Sequence, residues 1–303
     1  MRITLGMLTD RVLTNLTAAS ERLLEAQDRV STGKKLHKPS DDVPGIGRSL
    51  NLRSVLASLE QLGRNSDMAA SWLAATSSAL DQVVKGLQNV RNLALTAANS
   101  ALTEEARSGI VTQLNTISTE LASVGNNLHL GRYIFSGNMS STKPLTQTGG
   151  DPPYAYQGDD GRFDIQVAAG IYITVNVTGD KVFNMNGAAV PGASDVFAMI
   201  KSLCDKITAG DVQGISNQIA EIDANLNNAT NIRSQVGGRL NRLEAIRGVL
   251  ADSKVKVMDL LSKTEDVDIA EAVLDLRTKE NVYQAAIASA SRVLQISLAD
   301  FLK

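Results

Sequence analysis

The chain has 303 residues and a net charge of −2, enough for one large domain or two to three smaller ones and without the basic face that nucleic acid requires of a partner. Aromatic residues make up 4%, with a single tryptophan at Trp72. A thick spherical enzyme core is therefore a poor fit, and the abundant Ala, Leu, Ile and Val suit long helices packed side by side. Cys204 stands alone, which excludes an internal disulfide and a cysteine zinc site.

Arg2, Asp10 and Arg11 interrupt any apolar run at the start of the chain, so it does not read as a cleaved secretory signal. The longest charge-free stretch, Ile165 to Gly179, is rich in Thr, Asn and Gly, and no segment reads as a membrane-spanning helix. The expectation is a soluble chain without membrane insertion, retained in the cell or exported by a route that cleaves no signal.

The hydrophobic pattern divides the chain into a helical part over residues 1–137, a β-rich insert over 138–193 and a second helical part over 194–303. The first apolar stripe runs Leu5, Leu8, Val12, Leu16, Ala19, Leu23, Ala26, Val30. Steps of three and four place these on one helix face. Ser31-Thr32-Gly33 breaks the pattern, and Pro39 and Pro44 keep the break open.

A second stripe (Leu73, Thr76, Leu80, Val83, Leu87, Val90, Ala94, Ala97) keeps a heptad without error. A third runs Ile110, Leu114, Ile117, Leu121, Val124, Leu128, with Thr103 before Glu104 and Glu105 as its helix start. Gly149-Gly150-Asp151-Pro152-Pro153 is turn chemistry. Phe163, Ile165 and Val167, then Ile171, Ile173, Val175 and Val177, alternate with other residues as strands do, with Gly161 and Gly170 at turns.

The fourth stripe is the longest, from Ile215 through Ile222, Ala229, Val236 and Leu243 to Leu261. Arg233, Arg247 and Lys254 interrupt it, and Gly237-Gly238 lies in its middle, which predicts a kink or a close neighbour. The fifth runs Ile269, Val273, Leu276, Glu280, Tyr283, Ile287, Ala290, Leu294, Ser297, Phe301. Asp268 with Glu271 three residues on offers an N-cap and its reciprocal partner. A single amphipathic helix cannot bury such a stripe alone. The two ends must pair with each other, with the central rods or with other subunits.

Chemical motifs are few. Gly33-Lys34 lacks the upstream glycine of a phosphate loop, since Asp28 stands there. Asp41-Asp42 and Asp159-Asp160 are not followed by the spaced ligands of a calcium loop, and capping or turn roles explain them better. His37 and His129 have no second His or Cys nearby, so no metal ligand set or catalytic triad is expected. Cys204 reads as a packed small residue, Trp72 as core, and the Asn176-Val177-Thr178 sequon carries little weight in a strand. No catalytic, metal or cofactor-binding residue is expected.

After the first stripe comes Val30-Ser31-Thr32-Gly33-Lys34-Lys35-Leu36, then Pro39-Ser40-Asp41-Asp42-Val43-Pro44-Gly45. This resembles the N-terminal hallmark of the flagellin family. Glu265-Asp266-Val267-Asp268-Ile269-Ala270-Glu271 and Tyr283-Gln284-Ala285-Ala286 look like the matching C-terminal one. Gly131-Arg132-Tyr133-Ile134-Phe135-Ser136-Gly137, Tyr156-Gln157-Gly158-Asp159-Asp160-Gly161 and Gly179-Asp180-Lys181-Val182-Phe183 are similar to the segments around the β insert in the family's hook–filament junction branch.

The resemblance implies a mainly α fold of long heptad-patterned rods with a small outer β insert. It implies a non-enzymatic structural subunit without cofactor, exported without a cleaved signal through the flagellar type III apparatus with an export chaperone. The subunit would form a ring with its own copies, between the first hook–filament junction protein and flagellin. The residues expected to carry this assembly are Leu5, Leu8, Val12, Leu16, Leu23, Val30, Asp41, Asp42 and Gly45 at one end of the chain, and Ile269, Val273, Leu276, Tyr283, Ile287, Leu294 and Phe301 at the other. The competing readings are a filament subunit of the same family and a cytoplasmic coiled-coil scaffold.

Overall fold

The computed structural model describes residues 5–99, 102–185 and 194–301. Among them the fold is mainly α, with long helices and three small strand pairs. The helices are α1 (Leu5–Thr32), α2 (Val43–Ala97), α3 (Glu104–Gly125), α4 (Gly179–Phe183), α5 (Val196–Ala209), α6 (Val212–Glu265) and α7 (Ile269–Phe301). The strands β1 (Leu128–His129), β2 (Arg132–Tyr133), β3 (Leu145–Gln147), β4 (Tyr154–Tyr156), β5 (Asp164–Ala168) and β6 (Ile171–Thr174) pair in sequence order as antiparallel hairpins.

The helix boundaries follow local chemistry. Gly33 ends α1 at φ +67°, a left-handed position that favours glycine. Pro44 falls in the first turn of α2, where its missing N–H costs nothing. Thr103 caps α3 by accepting from the Ala106 N–H at 3.3 Å. Asp268 caps α7 by accepting from the Ala270 and Glu271 N–H groups at 2.9 and 3.3 Å. The Gly237-Gly238 pair does not interrupt α6, and no atom would lie within 4 Å of a Cβ added at either position. The close neighbour expected there is not found within the described chain.

The chain forms two compact units, residues 59–252 and residues 1–58 with 253–303. The first holds nearly all of the large buried side chains. Every member of the stripe from Leu73 to Ala97 is buried. It packs with Ile110, Leu114 and Leu121 of α3, Phe197, Ile200 and Leu203 of α5, and Ile215, Ile222, Val236 and Leu243 of α6. Ile165, Val167, Ile173 and Val175 turn inward from the β5–β6 hairpin onto the same core. Trp72 packs edge-on against Phe163 and His129, with ring centres 5.6 Å from each. Cys204 is buried beside Asn115, and burial pushes its thiol up to about 11. Asn176 is buried too: it donates to the Gly161 carbonyl and accepts from the Phe163 N–H, which removes it as a glycan acceptor.

Two of the basic residues on the α6 stripe, Arg233 and Arg247, find acids on α2. Arg233 Nη1 lies 2.8 Å from Asp81 and Arg247 Nη2 lies 2.6 Å from Asp67. Arg91 of α2 reaches Asp223 of α6 at 2.5 Å. As the α6 numbers rise through 223, 233 and 247, the α2 numbers fall through 91, 81 and 67 by the same steps. Over this span α2 and α6 are antiparallel in one unslipped register.

Leu80 and Leu114 are fully buried. Leu80→Ala or Leu114→Ala is expected to remove about 3 kcal/mol from the unit of residues 59–252. Leu24→Ala, on an exposed α1 face, should change stability by less than about 0.5 kcal/mol. Urea unfolding measures both, followed by Trp72 fluorescence for the buried leucines and by circular dichroism for Leu24.

Candidate assembly interface

The second unit is built on the chain ends. α1 and α7 pack along each other. Among the described apolar side chains of the pair the buried ones are small: Ala19 and Ala26 on α1, Ala272 and Ala290 on α7. Val12, Leu16, Leu23 and Val30 are half-buried, as are Val273, Leu276 and Tyr283. Ile269 and Ile287, expected on the same stripe, are exposed. The side chains of Leu5, Leu8, Leu294 and Phe301 lie outside the described ones.

A second apolar face lies off the expected stripes. Leu13 and Leu24 of α1 are 54% and 57% exposed, and Leu274 and Val282 of α7 are 68% and 51% exposed. Leu13 and Leu24 stand about three helical turns apart and share one side of α1, whereas Leu274 and Val282 stand about 80° apart around α7. These residues lie off the strongest apolar face of each helix.

The roots of the two helices are tied together. Lys35 N–H donates to the Glu265 carbonyl at 2.7 Å and Val267 N–H donates to the Gly33 carbonyl at 3.0 Å. This short antiparallel bridge joins the turn after α1 to the α6–α7 junction. The two sequence hallmarks therefore meet in space, and each is partly explained by the meeting.

Within the first hallmark, Asp41 accepts from the His37 and Lys38 N–H groups at 2.9 and 2.8 Å. Those backbone donors, Lys38 first, hold its carboxyl below the usual range. The Asp42 carbonyl accepts from Ile46 N–H at the start of α2. A Cβ at Gly45 would collide with the Asp42 carboxylate and come within 3.2 Å of Leu36. Any larger residue in this first turn of α2 would have to displace the Asp42 carboxylate.

At the centre lies Glu265, whose side chain is only 4% exposed. Its Oε1 accepts from Arg53 Nε at 2.7 Å and from the Ser49 hydroxyl. Its Oε2 accepts from Arg53 Nη2 at 2.7 Å and from Lys34 Nζ at 2.8 Å. The bidentate Arg53 contact, then Lys34 and Ser49, outweigh burial and hold the carboxyl down at about 2. Gly45, Ser49 and Arg53 sit four residues apart on one face of α2. That spacing was legible in the sequence, but nothing local pointed their shared face at an acid more than 200 residues away.

A carboxyl held from its usual 4.5 to about 2 contributes stability that is present above the unfolded value and lost as pH falls through the folded one. Amide exchange at residues 33–36 and 265–267 should therefore speed up as pH drops from about 4.5 to about 2, beyond the intrinsic change in exchange rate. Glu265→Gln should remove this extra dependence. At neutral pH it should cost about 1–3 kcal/mol, because Lys34 and Arg53 stay partly hydrated.

Two family models match the chain: the bacterial flagellin N-terminal helical region over residues 4–140 and the bacterial flagellin C-terminal helical region over residues 219–302. Among curated proteins, flagellar hook-associated protein 3 of Escherichia coli K12 is 25% identical, and the match covers 98% of each chain. Among solved structures, a putative flagellar hook-associated protein from Vibrio parahaemolyticus is similar with a TM-score of 0.68 at 24% identity, covering 75% of this chain and all of that one. The flagellar junction protein FlgL from Legionella pneumophila is similar with a TM-score of 0.60 at 17% identity, covering 74% of this chain and all of that one. The two family matches take in both hallmarks and more than two thirds of the residues, and the chain belongs to the bacterial flagellin family.

Proposed function

We propose that this chain is a structural subunit of the bacterial flagellum that joins the hook to the flagellin filament, and that it performs no chemical step. The observation that carries this reading is the end-to-end match to a hook-associated protein, with 98% of both chains aligned. The terminal helices support it physically. Leu13, Leu24, Leu274 and Val282 are largely exposed on helices whose fully buried apolar side chains, among the described ones, are alanines. Each such side chain gains about 1.5–3 kcal/mol on full burial. Neighbouring subunits supply the surface that the chain itself lacks.

In this reading copies of the chain form a ring at the distal end of the hook. One face of the ring meets the first hook–filament junction protein and the other receives flagellin. The stripe residues of α1 and α7 line the contacts, and the turn at Asp41, Asp42 and Gly45 shapes them. The segment over residues 138–193 faces outward. The chain reaches this place unfolded, through the type III export apparatus and with a chaperone, with no signal cleaved. The work is mechanical adaptation between two tubes.

Deleting the gene in a motile host tests the reading. Hooks without filaments, with flagellin accumulating in the medium, are expected. Bare hooks with no flagellin in the medium would make the chain the filament subunit instead, and normal swimming would overturn both. A point substitution tests the surface: Leu274→Lys should change the stability of the isolated chain by less than about 0.5 kcal/mol. It should nevertheless stop filaments from forming on hooks, scored by electron microscopy.

A further inference from the structure

The carboxylate of Glu265 has about four lone-pair sites, and all are taken, by Arg53 Nε and Nη2, Lys34 Nζ and the Ser49 hydroxyl. The donors come from two different elements. Lys34 lies in the turn that follows α1, whereas Ser49 and Arg53 lie on α2. The backbone bridge between residues 33–35 and 265–267 already ties α1 to α7 without any side chain. What the carboxylate adds is α2. It fastens the first turns of that helix to the common root of the terminal pair, through a planar two-point contact with Arg53 that fixes direction as well as distance.

A saturated carboxylate with half-exposed partners is a modest source of stability, since an apolar cluster could hold the same elements at least as well. Its geometric content is larger. An apolar contact tolerates rotation and sliding; two parallel N–H···O bonds do not. We propose that Glu265 is a positioning residue for assembly: its carboxylate sets the direction in which the α1–α7 pair leaves α2, so that Leu13, Leu24, Leu274 and Val282 meet neighbouring subunits in one orientation. This rests on the assembly reading above and names the residue that orients the assembling helices.

The test uses the full chain, purified and in its motile host, with Glu265→Gln, Glu265→Asp, Arg53→Met and the Glu265→Gln/Arg53→Met double variant. A glutamine offers one acceptor oxygen and turns an NH2 toward the donors, so it breaks the two-point contact. In Glu265→Gln, helix content by circular dichroism should match the parent, and so should urea unfolding followed at Trp72, which reports residues 59–252 and not the terminal unit that loses the contact. Amide exchange at residues 34–36 and 46–53 should rise by about 10-fold or more. Filament-bearing cells should fall toward the level of the gene deletion, with flagellin in the medium. Glu265→Asp, which keeps the charge on a shorter arm, should restore part of the filament count. The double variant should be no worse than either single one, because both act on one contact.

Normal filaments in Glu265→Gln would overturn the proposal. So would loss of filaments together with loss of helix content, which would make Glu265 a support for folding and nothing more. Unchanged exchange at residues 46–53 would likewise overturn it, because α2 would then be held by something else. If the gene deletion itself leaves filaments normal, the junction reading falls, and the exchange and helix-content results still judge the contact.

Discussion

Two helices at opposite ends of one chain can pair only if the chain comes back to its own start, and here the return is fixed where Gly33 and Lys35 meet Glu265 and Val267. Everything at the chain ends depends on that junction. α1 on its own is an amphipathic helix with nothing to cover it, and such helices are marginal in water. Once the bridge sets the level at which α1 and α7 begin, their small residues can face each other. The hallmark residues are the means of this return: Gly33 at positive φ turns the chain, Gly45 leaves room for Asp42 and Leu36, and Asp268 starts α7 directly beyond the bridge.

The two compact units spend their apolar residues differently. Residues 59–252 bury leucines, isoleucines, phenylalanines and the tryptophan around one core. The terminal unit buries alanines and leaves large residues half-covered or exposed. At about 0.8 kcal/mol per buried CH2, an alanine seam contributes far less than the core does. The same small side chains let α1 and α7 approach closely, while Leu13, Leu24, Leu274 and Val282 stay exposed. A self-sufficient domain would be arranged the other way round. The distribution fits a chain that completes its terminal packing with copies and partners.

Much of this was legible in the sequence. The stripe from Leu73 to Ala97 marked a core face at every position, because a heptad without error leaves one face for burial. The caps at Thr103 and Asp268 were legible because capping is local. What the sequence did not disclose depends on distance along the chain. Ser49 and Arg53 look like ordinary surface residues of a helix until Glu265 is placed beside them. Leu13 and Leu24 fell outside the strongest stripe, since a periodic pattern shows the best face of a helix and hides a weaker one. Gly237 and Gly238 promised a kink or a close neighbour. α6 runs through both glycines without a break, no neighbouring atom lies within 4 Å of a Cβ added at either, and each costs the helix about 1 kcal/mol relative to alanine.

The polar flaws in the long α6 stripe have a physical reason once their partners are known. A heptad repeat of similar apolar residues packs almost as well when one helix slides by a turn or by a whole repeat. Leucine, isoleucine and alanine alone would not choose among those registers. Arg233 and Arg247 interrupt the repeat, and their acids Asp81 and Asp67 stand at matching steps along α2, with Arg91 and Asp223 repeating the match in reverse polarity. Each pair is partly exposed and adds little to stability. A slipped register costs more than the pairs contribute, because it leaves Arg233 half-buried and facing no acid. The charges act mainly against wrong alignments, and they hold the long antiparallel pairing of α2 and α6 to one register, which the β5–β6 hairpin needs in order to dock: Asn65 of α2 reaches the Gln166 carbonyl, while Arg239 of α6 reaches the Thr174 and Asn176 carbonyls.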